Sequence, residues 1–276
     1  RRVRDSLAGY DARWPEPTEG ISRLVLEFEA QSHSRVRSWL QADLGLGEIG
    51  LGRIQLELVD YPGEWLVDLP MLEQSFDDWS ARMLALAAKP ARAPLSAAYL
   101  ARLAALPGAP EFDEDTAGAL ADCWTDYLQQ AVQAGLMLNQ PGRLLRPDKL
   151  RHSPVLRLAP LPERLRASRL YRGMARRYDD YRAKVVKPFY SEHFAAMDRQ
   201  IVLVDVLRSL QLGEAAFDEM TAALSATLES FNYGKGGLLS WLTGRTTHVL
   251  FAATKADHVT RSDRAELERM LSRMLA

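Results

Sequence analysis

Two stretches near the start of the chain alternate hydrophobic and polar residues, and two later stretches are almost continuously hydrophobic. The second half of Ser22–Glu29 alternates apolar with acidic side chains, and Arg53–Asp60 alternates throughout, which predicts strands with one solvated face. Residues 201–206 and His248–Ala253 are apolar almost throughout, which predicts strands buried on both faces of a sheet. Both later runs end in polar residues, as parallel strands do where their carboxyl ends present functional groups.

The middle of the chain has the spacing of helices. The predicted helices occupy residues 76–106 with breaks at Pro90 and Pro94, a segment from 113–115 that closes at 140–142, roughly 163–186, and about 215–229. Trp124 and Tyr127 lie on an apolar stripe and are expected in the core. The whole pattern predicts an α/β core interrupted by a helical insertion. We place the first part of the core in residues 1–76, the insertion in 77–190 and the second part of the core in 191–276.

Composition and charge exclude several classes of function. The 276 residues are 47% hydrophobic and 26% charged, the balance of a soluble globular protein. Because 35 Lys and Arg residues face 36 Asp and Glu residues, the net charge of −1 argues against nucleic acid as a partner. The single cysteine, Cys123, excludes an internal disulfide framework and suits a reducing cytoplasm, the localisation we expect. No apolar run approaches the roughly 18 residues of a transmembrane segment, so none is expected.

The residues after the second predicted strand match a motif of phosphoryl-transfer proteins. Proteins of the P-loop class place a carboxylate at a strand end to hold Mg²⁺ and a glycine three residues later, whose backbone N–H reaches the terminal phosphate. Asp60 and Gly63 have this spacing. An ordinary turn explains the same residues equally well, because Asp, Pro and Gly are common in turns.

The residues after the last predicted strand match the [Asn/Thr]-Lys-x-Asp loop of GTP-binding proteins. They are Thr254-Lys255-Ala256-Asp257. In that loop the aspartate accepts hydrogen bonds from N1 and N2 of guanine and the lysine stem covers the base, whereas adenine presents an acceptor at N1. The alternative is a helix start in which Thr254 or Asp257 is only a cap. Because this motif follows the turn at 60–63 in the order found in GTPases, the two together favour a nucleotide site.

Three further residues fit the same chain order with less specificity. Thr18 precedes the first predicted strand, where GTPases place a threonine that senses Mg²⁺ and the γ-phosphate. Arg13 is a candidate arginine finger in cis, and Glu64 stands where many GTPases have a glutamine that orients the attacking water. A loop threonine and an exposed arginine are the simpler interpretations of the first two. A carboxylate at position 64 repels phosphate oxygens, which predicts slow hydrolysis.

Other motifs do not indicate a site. Residues 234–237 are rich in glycine but lack the GxxxxGK[ST] spacing of a phosphate-binding loop, and that spacing occurs nowhere in the 276 residues. The five histidines form no HxxxH or HExxH pair, so a histidine metal site is not expected. Asp179 and Asp180 interrupt the arginines of the helix predicted over 163–186, which favours a solvated, ion-paired face over a partner-binding face.

Four longer stretches resemble the YcjX-like stress-protein family. They are residues 59–65, 177–190, 198–205 and 250–259, and the similarity extends from about Thr18 to the end of the chain. Members of this family are bacterial P-loop NTPases described as GTPases, with a Gα-like core that carries a helical insertion. The resemblance implies that fold, with a mostly parallel sheet, together with GTP or GDP and Mg²⁺ as ligands. It also implies that this chain lacks the N-terminal P-loop strand and the C-terminal tail of a family member.

Carried over residue by residue, the resemblance assigns a role to each matching position. It implies Asp60 as the Mg²⁺-associated carboxylate and Gly63 as the sensor of the γ-phosphate. It implies Lys255 and Asp257 as contacts of the guanine, with Thr254 in place of the more usual asparagine.

The resulting hypothesis is a GTP-binding protein with slow, Mg²⁺-dependent GTP hydrolysis that acts as a conformational switch in a bacterial stress response. Thr18 and Asp60 are its candidate metal residues, and the fragment alone is expected to be inactive. Residues 13–18 and 60–76 are expected to move with the nucleotide state, and the apolar segment after Gly63 to dock on the helical insertion or a protein partner. The alternatives are a nucleotide-independent scaffold that binds a partner through the helical insertion, and an ATPase of the same fold.

Overall fold

The computed structural model describes residues 20–29, 53–151, 153–230 and 248–275. The chain forms two compact units, residues 1–62 and residues 63–276. The candidate residues Arg13 and Thr18, and the glycine-rich residues 234–237, lie outside the described residues.

The first unit contains an antiparallel pair of strands. Strand β1, Ser22–Glu29, pairs with β2, Arg53–Asp60, in a register that places Ser22 opposite Asp60. Both strands were predicted from their alternation, and both are confirmed. One face of each strand was expected to be buried, but apolar side chains of both strands are exposed: Leu24, Val25, Leu26, Phe28, Leu56 and Leu58. A two-stranded ribbon has no second layer of its own to cover a face.

The second unit begins with a 3₁₀-helical segment, Gly63–Glu73, which we call the post-strand segment. Helices α1, Phe76–Ala87, and α2, Ala93–Ala104, follow it. The predicted break between them is confirmed around Pro90. Pro94, however, lies in the first turn of α2 and not at a break, since a proline there loses no intrahelical hydrogen bond.

Helix α3, Glu114–Gln133, begins at Asp113, whose side chain accepts a hydrogen bond from the backbone N–H of Thr116. We expected this helix to close at residues 140–142, but it ends at Gln133. Gly135 then adopts a φ of 80°, a left-handed conformation that ends helices readily. The expected core positions Trp124 and Tyr127 are buried, and their rings lie 4.8 Å apart.

Helix α4, Arg169–Tyr181, differs from its prediction at both ends. It begins after Ser168, whose hydroxyl accepts from the N–H of Tyr171, and Glu163–Leu165 forms a separate 3₁₀ turn. The helix was expected to stop before Lys187-Pro188, but helical structure continues through Arg182–Val186, Lys187–Phe189 and Tyr190–Phe194. The first and last of these are π-helical turns, and Pro188 lies in the short α-helical turn between them. We call residues 76–194 the helical region.

A parallel strand pair follows the helical region. Strand β3, Arg199–Val204, pairs with β4, His248–Ala253, in a register that places Val204 opposite Ala253. Strand β3 is followed by helices α5, Val206–Leu212, and α6, Glu214–Ser230, and β4 is followed by α7, Arg261–Met274. Helix α6 confirms the helix predicted near 215–229, whereas α7 was not predicted.

The expectation that β3 and β4 are buried on both faces is wrong. Residues of β3, α6 and α7 form a core with buried side chains that include Val204, Leu224 and Leu271. On the other face, Ile201 is 65% exposed, Leu203 is 69% exposed and Leu250 is 59% exposed. Alternate residues of a strand point to opposite faces, and within the described residues helices pack on one face of this pair.

The described residues therefore form a mixed α/β structure that is mostly helical and has small sheets. One strand pair is antiparallel and the other is parallel. Among the helices within these ranges, none combines the length and hydrophobicity that crossing a lipid bilayer requires.

Candidate functional site

The turn after β2 spans the boundary between the two units. Asp60 is the last residue of β2, with an exposed side chain, and belongs to the first unit. Gly63 and Glu64 begin the post-strand segment in the second unit. A Cβ added at Gly63 would meet no described atom within 4 Å. Contacts among the described residues therefore do not explain this glycine.

The post-strand segment is docked on the helical region. Trp65, Leu69 and Met71 are buried, and the indole N–H of Trp65 donates to the carbonyl of Arg146 at 3.1 Å. Nε of Arg146 lies 3.3 Å from Oε1 of Glu64, so the candidate catalytic carboxylate forms an ion pair with the same residue. The expectation that this segment docks on the helices is confirmed, whereas its movement with nucleotide stays a prediction.

A buried carboxylate, Asp68, lies at the centre of this docking surface. It accepts hydrogen bonds from the backbone N–H of Gly142 at 2.7 Å, from the N–H of Arg143 at 3.3 Å and from the Tyr181 hydroxyl at 2.5 Å. Burial raises the pKa of Asp68 to about 6, although all three hydrogen bonds oppose that shift. The same burial and the Asp68 charge raise the pKa of Tyr181 well above its usual value, so this hydroxyl stays a donor.

The carboxyl ends of β3 and β4 bring Asp205 and Lys255 together. The backbone N–H of Thr254 donates to the carbonyl of Val204 at 2.9 Å, which continues the strand pairing by one residue. Lys255 adopts a left-handed conformation with φ 58° and ψ 26°. Its Nζ lies 2.6 Å from Oδ2 of Asp205, while Oδ1 of Asp205 accepts from the N–H of Arg208 and caps α5.

The remaining loop residue, Asp257, faces solvent. It lies in a single 3₁₀ turn, Ala256–His258, and its side chain is 82% exposed. Nε of Arg264 on α7 donates to the carbonyl of Ala256 at 3.0 Å, so α7 holds this turn in place. A cavity of about 460 Å³ lies beside the loop. Its lining residues are Asp205, Leu207, Arg208, Gln211, Leu212, Lys255, His258 and Val259.

The predicted residues of the second unit belong to two segments of the chain. Thr254, Lys255 and Asp257 share one loop at the ends of the parallel strands, and Glu64 follows Gly63 on the docked segment. Within the described ranges, no group of three or more His, Cys, Asp or Glu side chains could hold a metal ion.

Sequence reasoning missed Asp205 and helix α7. The aspartate was visible as the polar end of a predicted strand, but nothing local indicated its pairing with Lys255. Helix α7 had a usable signal, because Leu267, Leu271 and Met274 recur at helical spacing after Thr260, a residue type that begins helices well.

Comparisons with known proteins give a consistent result. The model of a family described as "YcjX-like family, DUF463" matches residues 2–276. Two curated proteins, each named "Ras-like GTPase YcjX" and found in Shewanella oneidensis and Escherichia coli K12, are 38% identical to the chain over 282 residues. The match covers 98% of the chain but 56% of the Shewanella protein and 58% of the Escherichia coli protein. The chain therefore spans little more than half the length of these relatives.

Proposed function

Because the chain belongs to the YcjX-like family, we propose that the protein containing it binds guanine nucleotide and hydrolyses GTP slowly with the help of Mg²⁺. The names of the two relatives support a GTPase. The observation that carries the proposal within this chain is the loop at the end of β4, where Lys255 is held by Asp205 and the Asp257 carboxylate faces solvent.

Guanine recognition is assigned to that loop. Two carboxylate oxygens of Asp257 match the two adjacent donors of guanine, N1–H and the exocyclic N2–H, and a charged acceptor strengthens both hydrogen bonds. The methylene stem of Lys255 covers one face of the base. Adenine has an acceptor at N1 and no amino group at C2, so the same carboxylate would repel it. The loop therefore favours GTP over ATP.

Mg²⁺ and the phosphates are assigned to the turn after β2. The carboxylate of Asp60 is exposed at a strand end, and carboxylate oxygen with several waters is the ligand set that Mg²⁺ prefers. In the proposal Asp60 holds the ion through water, and Thr18 adds a hydroxyl. Bound there, Mg²⁺ would neutralise charge on the phosphates. The backbone N–H of Gly63 contacts the γ-phosphate.

Hydrolysis requires a water whose oxygen attacks the γ-phosphorus while the bond to the departing GDP oxygen breaks. Glu64 is the candidate to orient this water, and Arg13 the candidate to stabilise the developing charge. The ion pair of Glu64 with Arg146 offsets part of the repulsion between the carboxylate and the phosphate. What remains of that repulsion makes slow turnover the expected result.

The switch is assigned to the post-strand segment, whose first residue, Gly63, is the proposed γ-phosphate contact. Its contacts with Gly142, Arg143 and Tyr181 are the ones that would change between the GTP and GDP states. Hydrogen exchange in residues 63–73 should therefore differ between GDP and a non-hydrolysable GTP analogue. Identical exchange would remove the switch from the proposal. A role in a stress response rests on the family resemblance alone.

The proposal is tested by nucleotide binding to the full-length protein. A fluorescent GDP should bind in the presence of Mg²⁺ and be displaced by GTP but not by ATP. Asp257→Asn should weaken GDP binding and improve binding of xanthosine diphosphate, because the new amide N–H meets the C2 carbonyl of xanthine. Asp126→Asn, on the exposed face of α3, is the matched control and should change neither affinity.

Two results would contradict this function. Equal displacement by ATP would favour an ATPase of the same fold. Absence of any nucleotide binding would favour the scaffold that binds a partner through the helical region.

A further inference from the structure

An aspartate outside the predicted motif holds the lysine inside it. Asp205 ends β3 and Lys255 follows β4, so the parallel pairing of the two strands brings residues 50 positions apart to the same edge. The distance of 2.6 Å between Oδ2 and Nζ is that of a strong, charge-assisted hydrogen bond.

The two oxygens of Asp205 have separate partners. Oδ1 accepts from the N–H of Arg208 at 3.2 Å and caps the seven-residue helix α5. Oδ2 accepts a hydrogen bond from the ammonium group of Lys255. The hydrogen bond from α5 therefore fixes the carboxylate independently of the lysine. The side chain of Asp205 is 26% exposed, and that of Lys255 is 49% exposed.

The backbone at Lys255 is also constrained. A φ of 58° is uncommon for a residue other than glycine, and it persists here because hydrogen bonds hold both sides of the residue. The N–H of Thr254 donates to Val204, and the N–H of His258 donates to the carbonyl of Lys255 at 2.9 Å. The backbone conformation fixes the Cα end of the lysine side chain, and Asp205 fixes its ammonium group.

We propose that Asp205 is a positioning residue for guanine recognition, which acts by fixing the ammonium group of Lys255 so that the lysine stem is ordered before the base arrives. This inference rests on the proposed function of the loop. A lysine that is ordered in advance loses less conformational entropy on binding, and this smaller loss increases the affinity for the nucleotide. Removing the charge of Asp205 should therefore weaken GDP binding about 2- to 10-fold.

The test is GDP affinity of the full-length protein with Asp205→Asn. Asparagine caps helices as well as aspartate does, so α5 keeps its cap while the charged partner of Lys255 is lost. The matched control is Asp113→Asn, which makes the same change at the cap of α3, where the side chain accepts from Thr116 at 2.8 Å. The control should bind GDP with the affinity of the unsubstituted protein. Both variants should have the same unfolding temperature as the unsubstituted protein.

A second background separates positioning from a general structural effect. In a Lys255→Met protein the stem remains and the ammonium group is absent, so Asp205→Asn should change GDP affinity no further, within about 2-fold. An equal loss in both backgrounds would overturn the proposal, because Asp205 would then act without Lys255. If the unsubstituted protein binds GDP and Asp205→Asn binds it with the same affinity, this inference alone would be overturned. Failure of the unsubstituted protein to bind GDP would overturn the proposed function as well.

Discussion

Arg92 and Glu219 form a buried ion pair between the helical region and α6. The guanidinium of Arg92 is 0% exposed, and its Nε and Nη2 donate to the two oxygens of Glu219 at 2.6 Å each. The same guanidinium donates to the Tyr127 hydroxyl at 2.7 Å and to Oδ1 of Asn139 at 3.1 Å. Burial would lower the pKa of Arg92, but its hydrogen bonds and charge interactions with Glu219 and Tyr127 outweigh burial and raise it. The arginine is therefore charged in the folded protein.

Glu219→Ala should be among the most damaging single changes in the chain. It leaves a buried guanidinium without its counter-charge, and removal of one partner from a buried pair costs about 3–5 kcal/mol. The backbone N–H groups of Met137 and Leu138 also lose their acceptor, at 3.0 and 3.2 Å from Oε2. Each such loss adds about 1 kcal/mol or more. We expect a total of about 5–7 kcal/mol, a large part of the stability of an ordinary domain.

The measurement is the free energy of unfolding in urea, followed by fluorescence of the buried tryptophans. Glu266→Ala is the control, since its pair with Arg269 on α7 is exposed and should contribute less than about 1 kcal/mol. The double variant Arg92→Met with Glu219→Leu removes both charges and should lose less stability than Glu219→Ala alone. A loss below about 1 kcal/mol for Glu219→Ala, equal to the control, would refute the reasoning that burial governs this pair.

Three further predictions concern single sites. Since the pKa of Asp68 is raised from 3.8 to about 6, its contribution to stability is fully present below pH 3.8 and lost as the pH rises through 6. Unfolding free energies measured across this window should fall by up to about 3 kcal/mol with rising pH, and Asp68→Asn should flatten the fall. Gly142→Ala should cost about 1–3 kcal/mol because the new Cβ overlaps the carbonyl oxygen of Glu64. Both this variant and its control, Gly108→Ala, are measured by urea unfolding, and the control should have little effect because its Cβ meets no described atom within 4 Å. Ser168→Ala removes the cap of α4 and should cost about 1 kcal/mol by urea unfolding, and an unchanged midpoint would show that the cap contributes nothing.

Local patterns determined much of the secondary structure. The alternation in Arg53–Asp60 was sufficient to predict a strand, and the spacing near 215–229 was sufficient to predict a helix, because the period of side chains along one element is a property of its own residues. The loop Thr254-Lys255-Ala256-Asp257 was also found from the sequence, because four adjacent residues after an apolar run form a local signal. Helix ends were less secure. Gly135 ended α3 early, and Pro188 did not end the helical structure after α4.

Tertiary packing alone decided which groups are buried and paired. An apolar run such as residues 201–204 does not reveal whether helices cover one face of the strand or both, and here Ile201 and Leu203 are exposed. Arg92 lies 127 positions from Glu219, and Asp205 lies 50 positions from Lys255. No local pattern connects residues so far apart, because their pairing depends on how strands and helices assemble. The sequence by itself therefore determined most of the strands and helices and the position of the loop at residues 254–257, whereas packing decided which charged groups pair and which are buried.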